Sequence, residues 1–202
     1  MDVKLLWNER YGQHKFAYGQ EPNDFIKENI GKLMPGPVLS LGEGDGRNAI
    51  YLARQSFSVH AVDLSDVGLA HLQQVAIQEK LPITTEVSDV AEFHYSQQQW
   101  ANVISVWCHT PRAVRRKMHA GVVNCLQPGG AFLLEAYTPD QLKFKTGGPP
   151  VEELLMTVAD LKEELAGLDF EIAHEIERDI QEGQFHHGQS AVVQICARKP
   201  AK

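Results

Sequence analysis

Two rhythms of hydrophobic and polar positions run along this chain. Short apolar stretches rich in β-branched residues recur at 38–41 (VLSL), 57–63 (FSVHAVD), 83–87 (ITTEV), 102–107 (NVISVW) and 131–137 (AFLLEAY). Runs of this length that are apolar almost throughout read as strands buried on both faces. Between them the spacing changes. After Ser65 the residues Leu69, Leu72, Val75 and Ala76 step by three and four, as do Val114, Met118 and Val122, which gives each segment one apolar helix face. Strands alternating with helices predict a mostly parallel sheet with right-handed crossovers and helices on both faces.

The last third is patterned differently. Helical spacing at Leu154, Leu155, Val158, Leu161 and Leu165 is followed by two extended runs, FEIAHEI (170–176) and SAVVQICARK (190–199), separated by the polar loop QEGQFHHG. The two runs predict an antiparallel hairpin closing the sheet. Ahead of the first strand, EPNDFIKENIGKLMPGP predicts a helix with Pro22 in its first turn and an apolar face of Phe25, Ile26, Ile30 and Leu33. The aromatic, glycine-punctuated WNERYGQHKFAYGQ before it reads as a mobile flap. Residues 1–202 are expected to form one domain, with the flap and helix in 1–35 and an α/β core in 36–202.

Composition narrows the choice of partners. A net charge of -7 argues against a large nucleic-acid footprint, which clustered Lys and Arg would dominate. The densest basic cluster, Arg112, Arg115, Arg116 and Lys117, reads as a solvated helix face. No apolar run reaches bilayer length, and MDVKLLWNER lacks the apolar core of a signal peptide, so a cytoplasmic protein without membrane contact is expected. Cys108, Cys125 and Cys196 are widely separated, as packed reduced thiols would be. No metal-ligand spacing stands out, and the adjacent His186 and His187 are unlike a helical zinc pair.

The densest chemical signal is VLSLGEGDGRN. Gly42, Gly44 and Gly46 follow a buried strand and precede a helix, where the absence of Cβ atoms lets the backbone turn tightly and approach a ligand. The second strand ends at Asp63, where a carboxylate can accept from both hydroxyls of a ribose. Loop and acid together point to an adenosine-containing ligand. A dinucleotide site wants G-x-G-x-x-G, and Arg47 stands where its third glycine belongs.

LGEGDGRN, AVDLS, SDV and LQPGG together resemble the class I S-adenosylmethionine-dependent methyltransferases over nearly the whole chain. YGQEPNDF, SVWCHTP and EAYTPDQL resemble the small bacterial members related to TehB and, more distantly, to thiopurine methyltransferases. The resemblance implies a Rossmann-like seven-stranded sheet of order 3-2-1-4-5-7-6 with strand 7 antiparallel, and S-adenosyl-L-methionine as cofactor. It implies that Gly42, Gly44 and Gly46 border the methionine part and Asp63 the ribose, with Leu64 and Ser65 at the adjoining turn. Asp89 and Val90 would contact the adenine, and Trp107 would lie beneath the sulfonium. In one departure, Ser40 replaces the acidic residue that the family carries two positions before the first glycine, leaving Glu43 as a nearby source of charge.

Methyl transfer from a sulfonium needs positioning and desolvation, and a base only where the nucleophile is protonated and weakly acidic. His109, in WCHTP, is the candidate catalytic residue, as base or orienting donor, against a role in bonding the backbone. Tyr137 at the end of the fifth strand, His186 in the hairpin loop and Arg47 are candidate acceptor-site residues. Asn48 and Tyr18 are candidates for the cofactor. The expected acceptor is a small molecule, a thiol, chalcogen compound or xenobiotic. The competing readings are a cofactor-binding sensor without catalysis and an NAD-dependent oxidoreductase. Oligomeric state is not legible.

Overall fold

The structure, a computed structural model, describes residues 2–14, 16–95 and 99–201. Its strands are β1 (Val38–Leu41), β2 (Val59–Asp63), β3 (Ile83–Val87), β4 (Trp100–Val106), β5 (Leu126–Tyr137), β6 (Asp169–Glu182) and β7 (His186–Arg198). They form one seven-stranded sheet in the order β3-β2-β1-β4-β5-β7-β6. The first five strands pair in parallel, and β7 lies antiparallel between β5 and β6. Every residue of β1 and β4 is buried, which accounts for their unbroken apolar runs.

The helices are α1 (Val3–Gln13), α2 (Asp24–Asn29), α3 (Arg47–Arg54), α4 (Asp66–Glu79), α5 (Arg112–Cys125) and α6 (Val158–Glu164). They divide the core between the two faces of the sheet. Ile26, Ala49, Leu52, Leu69 and Leu72 of α2, α3 and α4 pack on Val38, Ala61 and Ile104. Met118 and Val122 of α5 and Leu161 of α6 pack on Leu39, Val62 and Val103. A groove of about 420 Å³ opens at the other end of the strands, lined by Ser58, His60, Thr84, Glu86, Phe93 and Trp100. No helix among the described residues is long and apolar enough to cross a membrane.

Four local expectations change. The segment read as a flap contains α1, whose N-terminus Asp2 caps by accepting from Lys4 N. Polar ties hold α1 to the start of α4: Ser65 Oγ donates to Asn8 Oδ1 at 2.7 Å, and Asn8 Nδ2 donates to Asp66 Oδ1 at 2.7 Å. This is why α1 lacks the apolar stripe that hydrophobic periodicity detects. Helix α2 starts at Asp24, one residue beyond its Asn23 cap, so Pro22 stands outside it.

Helix α6 begins only at Val158, where Thr157 and Asp160 form a capping box, and Leu154 ends a separate 3-10 turn (Glu152–Leu154) with Leu155 in the connection between them. The hairpin strands are longer than their apolar runs, so His186 and His187 begin β7 and are not loop residues.

Candidate active site

The glycine loop joins the carboxyl end of β1 to α3, and all three of its glycines have positive φ. A Cβ on Gly42 would lie 2.7 Å from Cys108 Sγ, and one on Gly46 would lie 2.4 Å from Leu72 Cδ1. Gly46 is thus required by packing of α3 on α4. A Cβ on Gly44 would meet the Tyr11 hydroxyl at 2.1 Å, so α1 lays a buried tyrosine across the loop. Tyr11 was not singled out from the sequence.

Asp63 ends β2 beside this loop. Gly44 N donates to its Oδ2 at 2.8 Å and Ser65 N to its Oδ1 at 2.7 Å, leaving acceptor capacity on each oxygen. Burial pushes the Asp63 carboxyl above its usual range, opposed by those amides. Ser65 is buried and caps α4, while Leu64 beside it is half-buried. Ser88 N donates to Asp63 O, which brings the end of β3 alongside. There Asp89 is exposed and turns back on Ala91 N, and Val90 is buried in the core. The glycine loop, Asp63–Ser65 and Asp89–Val90 therefore share one end of the sheet.

Glu43 and Ser40 are hydrogen-bonded to each other. Glu43 Oε1 accepts from Asn48 N and Ala49 N, and Ser40 Oγ donates to Oε2 of the same carboxylate. The carboxylate caps α3, whose N-cap residue Gly46 has no side chain. Burial pushes Glu43 up to about 7, opposed by the Ser40 and amide bonds.

The acceptor-side candidates converge on a second centre. Trp107 follows β4 with φ of 57°, a conformation unfavourable for a bulky side chain. Its ring stacks on Tyr137 at 4.5 Å between centroids and meets His186 edge-on at 5.1 Å. Tyr18 lies 4.6 Å from His186. His186 Nδ1 and the Tyr137 hydroxyl are buried without a hydrogen bond of good geometry, and Ser190 exerts a weak hydrogen-bonding influence on Tyr137. A Cβ on Gly147 would lie 2.8 Å from the Tyr137 hydroxyl and 3.1 Å from His186 Cδ2, so the 146–148 turn roofs both groups. Burial pushes His186 down to about 3, holding it neutral.

His109 is placed differently. Its Nδ1 bonds to Leu154 O at 2.9 Å, and Tyr137 N donates toward its Nε2 at 3.4 Å, so main chain engages both ring nitrogens. Burial pushes it down to about 4. Cys108, driven up to about 12 by burial, is a poor nucleophile.

Under the aromatic groups runs a buried ionic network that sequence reasoning missed. Arg47 Nη2 donates to Glu182 Oε2 at 2.6 Å, and Trp107 Nε1 donates to the same oxygen at 2.7 Å. Asn23 Nδ2 donates to Glu182 Oε1 and Glu135 Oε1, and Arg178 Nη2 reaches both of those oxygens. Asn48 Oδ1 accepts from Asn23 N, so this candidate is tied to the network. One legible signal existed: Glu135 is a lone acid inside an apolar strand.

Comparisons with known proteins bear on the fold that holds these residues. Residues 38–130 match a family model described as a methyltransferase domain. A solved structure concerning conversion of a disulfide bond into a thioacetal group during echinomycin biosynthesis superposes with a TM-score of 0.80 at 15% identity, covering 99% of this chain and 93% of that one. TehB from Haemophilus influenzae superposes at 0.73 and 20% identity, covering 96% of this chain and 67% of TehB. Magnesium protoporphyrin IX methyltransferase from Synechocystis PCC 6803, solved with bound SAH, superposes at 0.68 and 17% identity, covering 98% and 97%. Hemagglutinin 1 of Eikenella corrodens is 34% identical over 65 residues, which are 32% of this chain and only 22% of that relative's length. Residues 38–130 are thus similar to a methyltransferase domain, and the fold that carries them is shared with solved methyltransferases.

Proposed function

We propose that the protein transfers the methyl group of S-adenosylmethionine to a small sulfur or other chalcogen nucleophile seated against Trp107, Tyr137 and His186. One observation carries this reading: two buried, unpartnered polar atoms, His186 Nδ1 and the Tyr137 hydroxyl, lie beside the residue that ends β4. Unsatisfied buried polar groups are costly, and a bound acceptor would relieve both. The residues at the other end of the site fit the cofactor. Asp63 retains acceptor capacity for ribose hydroxyls, and the glycine loop turns beside it with positive φ at Gly42, Gly44 and Gly46.

When bound, the cofactor supplies an activated methyl group on sulfur. The side chains have the tasks of positioning and excluding water. Trp107 is fixed by its bond to Glu182 and by stacking on Tyr137. His186 and Tyr137 would orient the acceptor by hydrogen bonding. Neither histidine is suited to storing a proton: His109 is occupied by main chain, and burial disfavours the charged form of His186. A nucleophile arriving already ionised, such as a thiolate, needs no such base. The sulfur chemistry of the structural neighbour associated with echinomycin supports the same class.

The test is titration calorimetry with S-adenosylhomocysteine, followed by product formation with thiols, selenite, tellurite and carboxylic acids. Asp63→Ala is expected to weaken binding at least tenfold, and Tyr137→Phe with His186→Gln to lower kcat/KM while leaving cofactor affinity unchanged. Tight cofactor binding with no turnover on any acceptor would favour a cofactor sensor, the reading that Ser40 keeps open.

A further inference from the structure

We propose that Asp45 supplies the carboxylate that receives the cofactor's ammonium group, in place of the acidic side chain that Ser40 has displaced from β1. The proposal rests on S-adenosylmethionine being the cofactor.

Three acids lie around the glycine loop, and two are committed. Asp63 is held by Gly44 N and Ser65 N at the end of β2, where it belongs to the ribose. Glu43, the replacement suggested by sequence position alone, is used up inside the protein. One of its oxygens takes two amides of α3 and the other takes the Ser40 hydroxyl, so meeting a ligand would uncap the helix.

Asp45 is different. It stands between Gly44 and Gly46, is 2% exposed, and its Oδ2 has no hydrogen-bond partner. Main-chain N–H groups of Asp45 itself, Ala17 and Phe16 favour the ionised carboxyl. Burial raises it to about 6, with Arg47 opposing. That guanidinium does not complete the site, because its Nη2 is bound to Glu182 and its Nη1 donates to Glu21 O. Tyr11, Tyr18 and Asp63 also feel the Asp45 charge, which places it near α1 and the end of β2. A buried carboxylate oxygen lacking a partner is stabilised most by a charged donor, and a primary ammonium offers three N–H groups and one positive charge.

The experiment compares three ligands by calorimetry: S-adenosylhomocysteine, its analogue lacking the α-amino group, and 5′-methylthioadenosine, which lacks the whole amino-acid part. Wild-type protein is expected to bind the deaminated analogue at least tenfold more weakly than S-adenosylhomocysteine. Asp45→Asn should lose at least tenfold on S-adenosylhomocysteine and less than twofold on the other two, with Asp45→Ser replacing it should the first variant fail to fold. Equal wild-type affinity for the aminated and deaminated ligands overturns the proposal. So does a loss in the variant that is uniform across the three ligands, which marks Asp45 as a support for the 16–17 turn. Failure of wild-type protein to bind S-adenosylhomocysteine and methylthioadenosine alike would instead overturn the cofactor assignment beneath it.

Discussion

At the level of single residues, His109 and Glu43 have opposite pH signatures. An imidazole held down to about 4, against an ordinary value near 6.5, contributes stability above pH 6.5 that is lost as pH falls toward 4. His109→Gln should therefore flatten the loss of melting temperature between pH 6.5 and 4, a differential of roughly 2 kcal/mol at about 1.4 kcal/mol per pKa unit after allowing for partial solvent access. Glu43, raised to about 7, works the other way: its contribution is present below pH 4.5 and fades as pH climbs through 7. Glu43→Gln should remove that fall, and melting curves from pH 4 to 8 separate the two residues. The motif around His109 was visible in the sequence. Its bond to Leu154 O was not, because the partner is 45 positions away at the end of a short 3-10 turn.

At the level of elements, periodicity located every strand but misjudged ends and polar faces. Arg115 was read with a solvated basic cluster, yet it is fully buried, bidentate to Glu164 and bonded to Leu155 O. His119, also fully buried, bonds Glu164 Oε2 at 2.7 Å, sharing that oxygen with Arg115 Nε. These contacts fasten α6 to α5 and hold Glu164 down to about 2: burial alone would raise it, but His119 and Arg115 outweigh that. Removing the carboxylate leaves Arg115 charged and dry, so Glu164→Ala should cost about 3–5 kcal/mol in a urea melt. The exposed Arg116–Glu163 pair one residue away should cost less than about 1 kcal/mol when broken by Arg116→Ala. A sequence pattern cannot distinguish these arginines, since burial depends on where α6 docks.

At the level of the whole molecule, the network of Glu135, Arg178, Glu182, Arg47 and Asn23 ties the closing hairpin to the glycine loop. Its members come from the chain before α2, from α3, β5 and β6, so sequence separation conceals it even though Arg178 and Glu182 share a strand face. The Arg47–Glu182 pair is almost wholly buried, at 4% and 5% exposure. Ions this dry gain little over apolar residues of similar size, and the large cost falls on whichever charge is left alone. Arg47→Met and Glu182→Met should each lose about 3 kcal/mol or more in denaturant melts, whereas the double variant should regain much of that loss. Recovery should be incomplete, because the double variant also strips Trp107 Nε1 of its acceptor at a cost of about 1–3 kcal/mol. Activity should not follow stability in this cycle. With Trp107 released from Glu182, the wall on which Tyr137 stacks loses its anchor, so the double variant should recover folding and still show depressed kcat/KM. Additive stability losses in the double variant would mean that the pair is not coupled and that the hairpin reaches the glycine loop through packing alone.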